Sequence, residues 1–150
     1  MRYVLCLVLA ALLLAAPLSA GENRFVTVPD QPAGLAWWLR AEFHPFESKV
    51  RGIPVNSIRP DWCRASEFRK ELFPPKLARD LDAAGGFDFA VHGSFDGQGG
   101  RQTALVGVYE TCRGRRGSFL LVLDEQTHGL PVVRFVDVER STHQLPLTSW

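Results

Sequence analysis

The feature of this sequence that most constrains its fold is a series of four apolar stretches after residue 86, separated by short runs of turn-forming residues. The stretches are FDFAVHGSF, TALVGVYETC, SFLLVLDE and PVVRFVDVE, and the runs between them are DGQGGRQ, RGRRG and QTHGL. In the first stretch Phe87, Phe89 and Val91 alternate with other residues, which is the period of a β-strand. Short glycine-rich connections typically join neighbouring antiparallel strands. The sequence therefore predicts a four-stranded antiparallel meander.

The part of the chain before residue 87 has the spacing of helices instead. Residues 32–43 place Leu35, Trp38 and Leu39 on one face, and Pro45 would end that helix. A second helix is predicted after Asp61, a good N-cap, with an apolar stripe of Trp62, Ala65, Phe68 and Leu72. Arg69 falls within the stripe and must either reach solvent or find a carboxylate. The stretch KLARDLDAAGG allows a further short helix.

Helices followed by strands indicate an α+β fold, with two or three N-terminal helices packed on one face of a C-terminal four-stranded antiparallel meander. Residues 1–20 are predicted to be a cleaved signal peptide, because Arg2 precedes an apolar run from Tyr3 to Ala16, Pro17 follows, and small residues lie at the cleavage point. The run is shorter than the roughly 20 residues that span a bilayer, although an uncleaved anchor is the alternative. Residues 21–150 then form a single exported domain, periplasmic or secreted, without a membrane span.

Removal of the leader makes the charge balance neutral, which bears on the choice of partner. The chain has 17 Lys and Arg, one of which is Arg2, and 16 Asp and Glu, all of which follow residue 20. Equal numbers of the two signs are not typical of a nucleic-acid binder or of a polybasic membrane reader. A protein or another cell-envelope component is the expected partner.

Two cysteines remain once Cys6 is removed with the leader. Cys63 and Cys112 form an even pair in an oxidising compartment, which predicts a disulfide. Two buried free thiols are the alternative. A metal site is less favoured because zinc ligands usually come as closely spaced pairs.

Residues 93–105, GSFDGQGGRQTAL, carry a local resemblance to a known family. They resemble one hairpin of the FG-GAP and VCBS repeats, whose usual form is GDFDGDGxxDLAL. The resemblance implies a shared hairpin of about 13 residues and not the propeller, since four strands cannot close one. It also implies calcium ligands at the acidic positions of the turn, which are here Ser94, Asp96, Gln98 and Gln102. Three of these four lack a carboxylate, so they are weak calcium candidates, and an ordinary hairpin turn is favoured.

Other candidate contact residues lie on the second turn and in the first predicted helix. Arg113, Arg115 and Arg116 are placed together on a hairpin tip and could dock an anionic partner, although a solvated turn is the simpler interpretation. Trp37 falls off the apolar face of the helix at 32–43 and is a candidate for a surface contact. With Asp96 and Gln98 of the first turn, these residues are the predicted binding set.

No catalytic constellation is recognisable in the sequence. The four histidines are at scattered positions without metal-ligand spacing, and no G-x-S-x-G elbow is present. Acidic residues that could form a glycosidase pair have no informative spacing; they are Glu42, Glu47, Asp61, Glu67 and Glu71. No metal and no cofactor is predicted. The sequence therefore favours an exported non-enzymatic binding protein, of the class that includes inhibitors and immunity-type proteins of cell-envelope partners. The alternatives are a hydrolase acting on cell-wall glycan or peptide, and a calcium-modulated structural module.

Overall fold

The structure is a computed structural model that describes residues 24–29, 41–86 and 88–140. In these ranges the strands are β1 (Val26–Thr27), β2 (Glu42–Phe43), β3 (Lys49–Val50), β4 (Ile53–Pro54), β5 (Trp62–Glu67), β6 (Ala90–Gly93), β7 (Gln102–Thr111), β8 (Arg116–Asp124) and β9 (Val132–Arg140). The helices are α1 (Val55–Ile58) and α2 (Pro75–Ala83), with a 3-10 turn at Lys70–Leu72. The predicted signal peptide, Trp37 and most of the predicted helix at 32–43 lie outside the described residues.

A five-stranded antiparallel sheet dominates the fold, and β7 is its central strand. One edge of β7 pairs with β8 over its length, and β8 pairs in turn with β9. Two shorter strands share the other edge: β6 pairs with Gln102–Leu105, and β5 pairs with Gly107–Thr111. Strands β6 to β9 thus form the antiparallel meander that the sequence predicts, but the sheet also contains β5.

The α+β prediction is wrong, because β5 lies where the second helix is predicted. The register of β5 shifts between Trp62 and Arg64, so that Cys63 forms a bulge. A bulge adds one residue to a strand, and Trp62 and Ala65, three positions apart, therefore lie on the same face of the sheet. That spacing imitates one turn of a helix. Phe68 and Leu72, which complete the apparent stripe, pack in a different cluster.

The remaining helix predictions have mixed outcomes. Residues Glu42–Phe43, at the end of the predicted helix 32–43, form β2, which pairs with β1. Helix α2 does form in the segment where the sequence allows a short helix, with Pro75 at its first position. The described residues are 45 % strand and 15 % helical, so the protein is mostly β. No helix within the described ranges has the length and apolar character that a membrane crossing requires.

One face of the sheet, here called the closed face, is covered by a compact apolar layer. Side chains from β7 and β8 supply its floor, and the β3–β4 hairpin with α1 covers it; the cluster is Val50, Ile53, Val55, Ile58, Trp62, Ala65, Leu105, Tyr109, Phe119, Leu121 and Leu123. Trp62 stacks on Tyr109 with ring centroids 4.6 Å apart. Arg51 and Gly52, at φ 49° and 83°, form the two-residue turn of the covering hairpin.

The opposite face, here called the divided face, is covered over only part of its area. A layer of five aromatic rings packs near Val108; the rings are Phe25, Phe43, Phe68, Phe73 and Phe89. Helix α2 contributes Leu77, Ala78 and Leu81 to this layer, which is here called the aromatic layer. Beyond it, towards the other end of β7 and β8, the divided face is exposed.

Candidate functional site

The turn between β6 and β7, residues 94–101, is organised by the side chain of Gln102. Gln102 is 2 % exposed, and its Oε1 accepts hydrogen bonds from the backbone N–H groups of Phe95 at 2.7 Å and Asp96 at 3.3 Å. Its Nε2 donates to Asp96 Oδ2 at 3.1 Å and to Asp124 Oδ1 at 2.7 Å. A backbone N–H can only donate, so the two contacts of Oε1 fix the orientation of the amide. The single side chain of Gln102 therefore connects the turn to β8.

The rest of this turn is held by short-range hydrogen bonds. Asp96 Oδ1 accepts from the backbone N–H of Gln98 at 2.9 Å, and Ser94 Oγ accepts from that of Gly99 at 2.9 Å. Gly97 and Gly99 have φ of 70° and 76°, which only glycine adopts without strain. Asp96 also lies 3.7 Å from the Arg134 guanidinium. The predicted binding residues Asp96 and Gln98 are thus neighbours, and Asp96 is occupied by internal contacts.

The donors in this turn do not favour a calcium ion. The polarised Nε2–H₂ group of Gln102 lies between the carboxylates of Asp96 and Asp124, the position in which a cation would neutralise them. Calcium requires six to eight oxygen ligands, several of them anionic. The described residues contain no group of three or more His, Cys, Asp or Glu side chains placed to hold a metal ion. The resemblance to the FG-GAP and VCBS hairpin stays a prediction.

On the closed face of the same sheet end, Thr103, Glu125 and His92 form a polar cluster. Thr103 Oγ1 donates to Glu125 Oε1 at 2.6 Å, and His92 Nδ1 lies 2.9 Å from Thr103 Oγ1 and 3.1 Å from Glu125 Oε1. The Thr103 hydroxyl, with smaller contributions from His92 and Arg101, lowers the pKa of Glu125 below its usual value of 4.5 against the effect of desolvation. One imidazole nitrogen contacts both partners, and the hydroxyl proton goes to the carboxylate. A nucleophile–base–acid relay needs the two imidazole nitrogens to serve different partners, and this cluster does not have that arrangement.

The turn between β7 and β8, residues 112–115, lies at the opposite end of β7. The predicted disulfide Cys63–Cys112 is confirmed, and it joins the bulge of β5 to this turn. The Cys112 N–H donates to the Asp61 carbonyl at 3.0 Å, and the Arg115 N–H donates to Thr111 Oγ1 at 3.0 Å. Bonds from two neighbouring segments therefore fix the backbone of the turn.

The three arginines predicted as one tip have different environments. Arg116 is on the divided face, where its guanidinium donates to Glu110 Oε2 at 2.6 Å and contacts His44 Nδ1 at 3.0 Å. Arg113 and Arg115 are exposed and have no ion pair with a described residue. Only Arg113 and Arg115 are therefore available to an anionic partner.

A charged cleft of about 470 Å³ lies beside the β3–β4 hairpin. Its walls include Glu47 and Glu67, two of the acidic residues considered for a glycosidase pair. Arg69 donates to Glu47 at 2.7 Å, and Arg51 donates to Glu67 at 2.7 Å. Of the two expectations for Arg69, solvent exposure or a carboxylate partner, the structure therefore shows the carboxylate partner. Each carboxylate is thus held by its own guanidinium. This arrangement is that of two separate ion pairs, whereas a glycosidase uses two carboxyl groups that face one bound sugar.

No protein-family model matches the chain, no curated protein matches its sequence, and no solved structure matches its fold. The surface of the molecule is therefore the basis for assigning a function.

On that surface, several exposed apolar side chains lie together on the exposed part of the divided face, here called the open patch. Its exposed side chains come from four adjacent strands, β6 to β9; they are Val91, Val106, Leu120, Val132 and Phe135, each between 36 % and 53 % exposed. Ala104 and Val122 fill the floor between them. The register pairs Val91 with Ala104, Ala104 with Val122, and Val122 with Phe135, so the patch is continuous across the sheet.

Sequence reasoning did not identify the open patch, although β8 carries a signal for it. Residues 119–123, FLLVL, are apolar without interruption, whereas a strand with one solvated face alternates apolar and polar residues. Leu121 and Leu123 pack on the closed face. Leu120 and Val122 alternate with them and therefore lie on the divided face. Of the predicted binding residues, the structure places Asp96 and Gln98 in one turn and Arg113, Arg115 and Arg116 at the other end of a ten-residue strand. It does not bring the two groups together.

Proposed function

We propose that this protein is an exported, non-enzymatic binding protein that engages a cell-envelope protein through the open patch. The observation that carries the proposal is the continuous exposed apolar surface formed by Val91, Val106, Leu120 and Phe135 with Val132. Contiguous apolar patches rimmed by polar residues are typical of protein–protein contact sites, whereas single exposed apolar residues are ordinary. The disulfide supports export, because such bonds persist in oxidising compartments.

The two candidate enzymatic arrangements offer less support for a hydrolase. Glu47 and Glu67 in the charged cleft are each bonded to an arginine, and in the His92 cluster the Thr103 hydroxyl donates to Glu125 and not to the imidazole. The turn at residues 94–101 is tied down by Gln102, and Asp96, a predicted binding residue in it, is engaged in internal hydrogen bonds. Arg113 and Arg115 remain a secondary contact that could add charge to the interaction.

The test is capture of partners from a cell-envelope extract by the immobilised full chain, with variants that separate the two surfaces. Phe135→Ser combined with Leu120→Ser should abolish retention of the specific partner, because it removes the centre of the open patch. Arg113→Ser combined with Arg115→Ser should reduce retention by a factor of about three at most, as expected for exposed charges. Leu130→Ser is the matched control, since Leu130 is 57 % exposed but lies outside the patch. Undiminished capture by the Phe135 and Leu120 variant would show that the open patch is not the binding surface.

A further inference from the structure

We infer that the occupant of the open patch is a basic amphipathic helix of the partner protein, an inference that rests on the function proposed above. Three observations support it: the way the chain covers the rest of the divided face, the dimensions of the uncovered part, and the charge at its border.

The first observation is that a helix of this chain takes part in covering the rest of the divided face. Helix α2 packs against the aromatic layer through Leu77, Ala78 and Leu81, while its other side faces solvent. Val106 lies at the boundary, 36 % exposed, with Val108 on the covered side at 8 %. A helix laid on the open patch would therefore lie beside a layer that already contains a helix, α2, packed on the aromatic rings. Such layers are a standard way to bury the apolar face of a sheet.

The second observation is the size of the patch. It extends across four strands, β6 to β9, which is about 14 Å at the usual spacing of about 4.8 Å. Along the strands it extends from the Gln102–Asp124 pair to the Val106–Leu120 pair, about 13 Å at about 3.3 Å per residue. A helix with its side chains is about 10–12 Å wide and rises about 5.4 Å per turn. One helix of two to three turns fits this area.

The third observation is the charge of the border formed by β9. Asp137 and Glu139 lie on the divided face, opposite Leu120 and Ser118, and both are exposed. Neither forms an ion pair with any described residue, and the Asp137 carboxylate accepts only from the neighbouring Val138 N–H, at 2.9 Å, within the described ranges. At the covered end, by contrast, Glu110 is neutralised by Arg116 at 2.6 Å. An occupant with Lys or Arg beside its apolar stripe would supply the missing cations.

The same border argues against the other occupants. A second copy of this chain would add its own Asp137 and Glu139 to the interface, and the two arginines that β8 and β9 place near this face, Arg116 and Arg134, already pair with Glu110 and Asp96. An anionic membrane would be repelled by these two carboxylates. The charge pattern therefore favours a basic protein segment.

The experiment measures binding of labelled model peptides to the full chain by fluorescence anisotropy. The probe is an amphipathic Leu/Lys peptide of about 14 residues, or about four helical turns, with a Leu/Glu peptide of the same pattern and a scrambled Leu/Lys peptide as references. The Leu/Lys peptide should bind at least about tenfold more tightly than either reference, since apolar burial and charge act together only in that probe. Equal binding of the Leu/Lys and Leu/Glu peptides, or of the ordered and scrambled ones, would overturn the inference.

Variants of the chain then separate the apolar and charged contributions. Phe135→Ser should weaken the Leu/Lys peptide about tenfold, whereas Leu130→Ser should leave it unchanged. Asp137→Lys combined with Glu139→Lys should weaken the Leu/Lys peptide about fivefold and strengthen the Leu/Glu peptide. Asp61→Lys combined with Glu71→Lys makes the same change of net charge elsewhere on the surface. This control pair should change the affinity of neither the Leu/Lys peptide nor the Leu/Glu peptide. Identical effects of the two charge-reversal pairs would overturn the inference.

Three further outcomes would identify another occupant and so reject the helix. These are a concentration-dependent dimer that Phe135→Ser dissociates, peptide binding that appears only after removal of residues 141–150, and binding to phosphatidylglycerol vesicles that Phe135→Ser abolishes. Failure of the peptide experiment can be told apart from failure of the proposed function. If Phe135→Ser with Leu120→Ser abolishes capture of the envelope partner while the peptides show no preference, the binding function stands and only the basic helix is rejected.

Discussion

The two turns that flank β7 are each attached to a neighbouring strand, one by a covalent bond and the other by hydrogen bonds. Residues 112–115 are joined to β5 by the covalent Cys63–Cys112 bond, whereas residues 94–101 are joined to β8 by the side-chain amide of Gln102. The covalent closure acts mainly by restricting the unfolded chain, and the hydrogen-bonded closure acts by satisfying polar groups in the folded state. The first should therefore contribute a large stability that depends on redox state, and the second a smaller stability that depends on one side chain.

The largest effect is expected when the disulfide is removed. Cys63→Ala combined with Cys112→Ala should lower the free energy of unfolding by about 4 kcal/mol, which the chain-entropy model gives for a loop closed by residues 49 positions apart. Urea unfolding followed by circular dichroism measures the change. A reductant should lower the stability of the unmodified chain to that of the variant and leave the variant itself unaffected. A loss below about 1 kcal/mol would mean that the backbone hydrogen bonds of Cys112 and Arg115, and not the disulfide, hold this turn in place.

At the other turn, Gln102→Leu should cost about 2 kcal/mol. The substitution keeps the approximate size of the side chain but leaves the N–H groups of Phe95 and Asp96 without their acceptor, and an unsatisfied buried polar group costs about 1–3 kcal/mol. Gln98→Leu is the matched control, because the Gln98 side chain is exposed and, among the described residues, only its backbone N–H has a bonding partner. The control should change the free energy of unfolding by less than about 0.5 kcal/mol. Equal effects of the two substitutions would mean that Gln102 does not hold the turn.

The difference between the turns also explains which one could be predicted from the sequence. The Cys63–Cys112 bond follows from residue counting and the predicted compartment, because an even cysteine pair has few alternatives in a chain that is expected to be exported. The role of Gln102 cannot be predicted in this way, because the hairpin pattern identifies the position of the residue but not the direction in which its side-chain amide points. That direction depends on Asp124, 22 residues away, and on the backbone of Phe95.

Similar reasoning applies to the fold. The four strands of the meander could be predicted because each has an apolar pattern of its own between clear turns. Strand β5 could not, because the bulge at Cys63 places Trp62 and Ala65 at helical spacing and because Phe68 belongs to a second cluster. The open patch could be suspected only from the unbroken FLLVL run, since the sequence does not show which part of a sheet face lacks a cover.

A calcium titration sharpens the comparison further. The substitution Gln102→Glu would place a third carboxylate between those of Asp96 and Asp124, and the three would repel one another when no cation is present. That variant should be less stable than the unmodified chain in a chelator and should regain stability in millimolar calcium, whereas the unmodified chain should melt at the same temperature in both. Melting curves in chelator and in calcium provide the measurement. A calcium-dependent melting temperature of the unmodified chain would show that the Gln102 amide does not replace the ion.

A smaller, pH-dependent effect is expected at the Gln102 end of the sheet. The Thr103 hydroxyl lowers the pKa of Glu125 below 4.5, so ionised Glu125 contributes stability that is present above pH 4.5 and is lost as the pH falls through the lowered value. Glu125→Gln should therefore be less stable than the unmodified chain at about pH 6, and the difference should shrink below pH 4.5. Thermal unfolding between about pH 6 and about pH 3 measures it. A difference that stays constant or grows towards the acid end of that range would contradict the assigned cause.

The smallest effects are expected at the arginines of the covalently closed turn, where they separate structure from contact. Arg116→Ser removes the bonds to Glu110 and His44 and should cost about 0.2–1 kcal/mol, as surface ion pairs do. Arg113→Ser and Arg115→Ser remove no side-chain hydrogen bond or ion pair with a described residue and should stay within about 0.5 kcal/mol of the unmodified chain. If either of these two instead destabilises the chain more than Arg116→Ser, its guanidinium has a structural role. If the stability of both is unchanged while capture of the proposed envelope partner becomes weaker and less sensitive to salt, the disulfide holds this turn in place for an anionic part of that partner, at the end of β7 that lies away from the open patch.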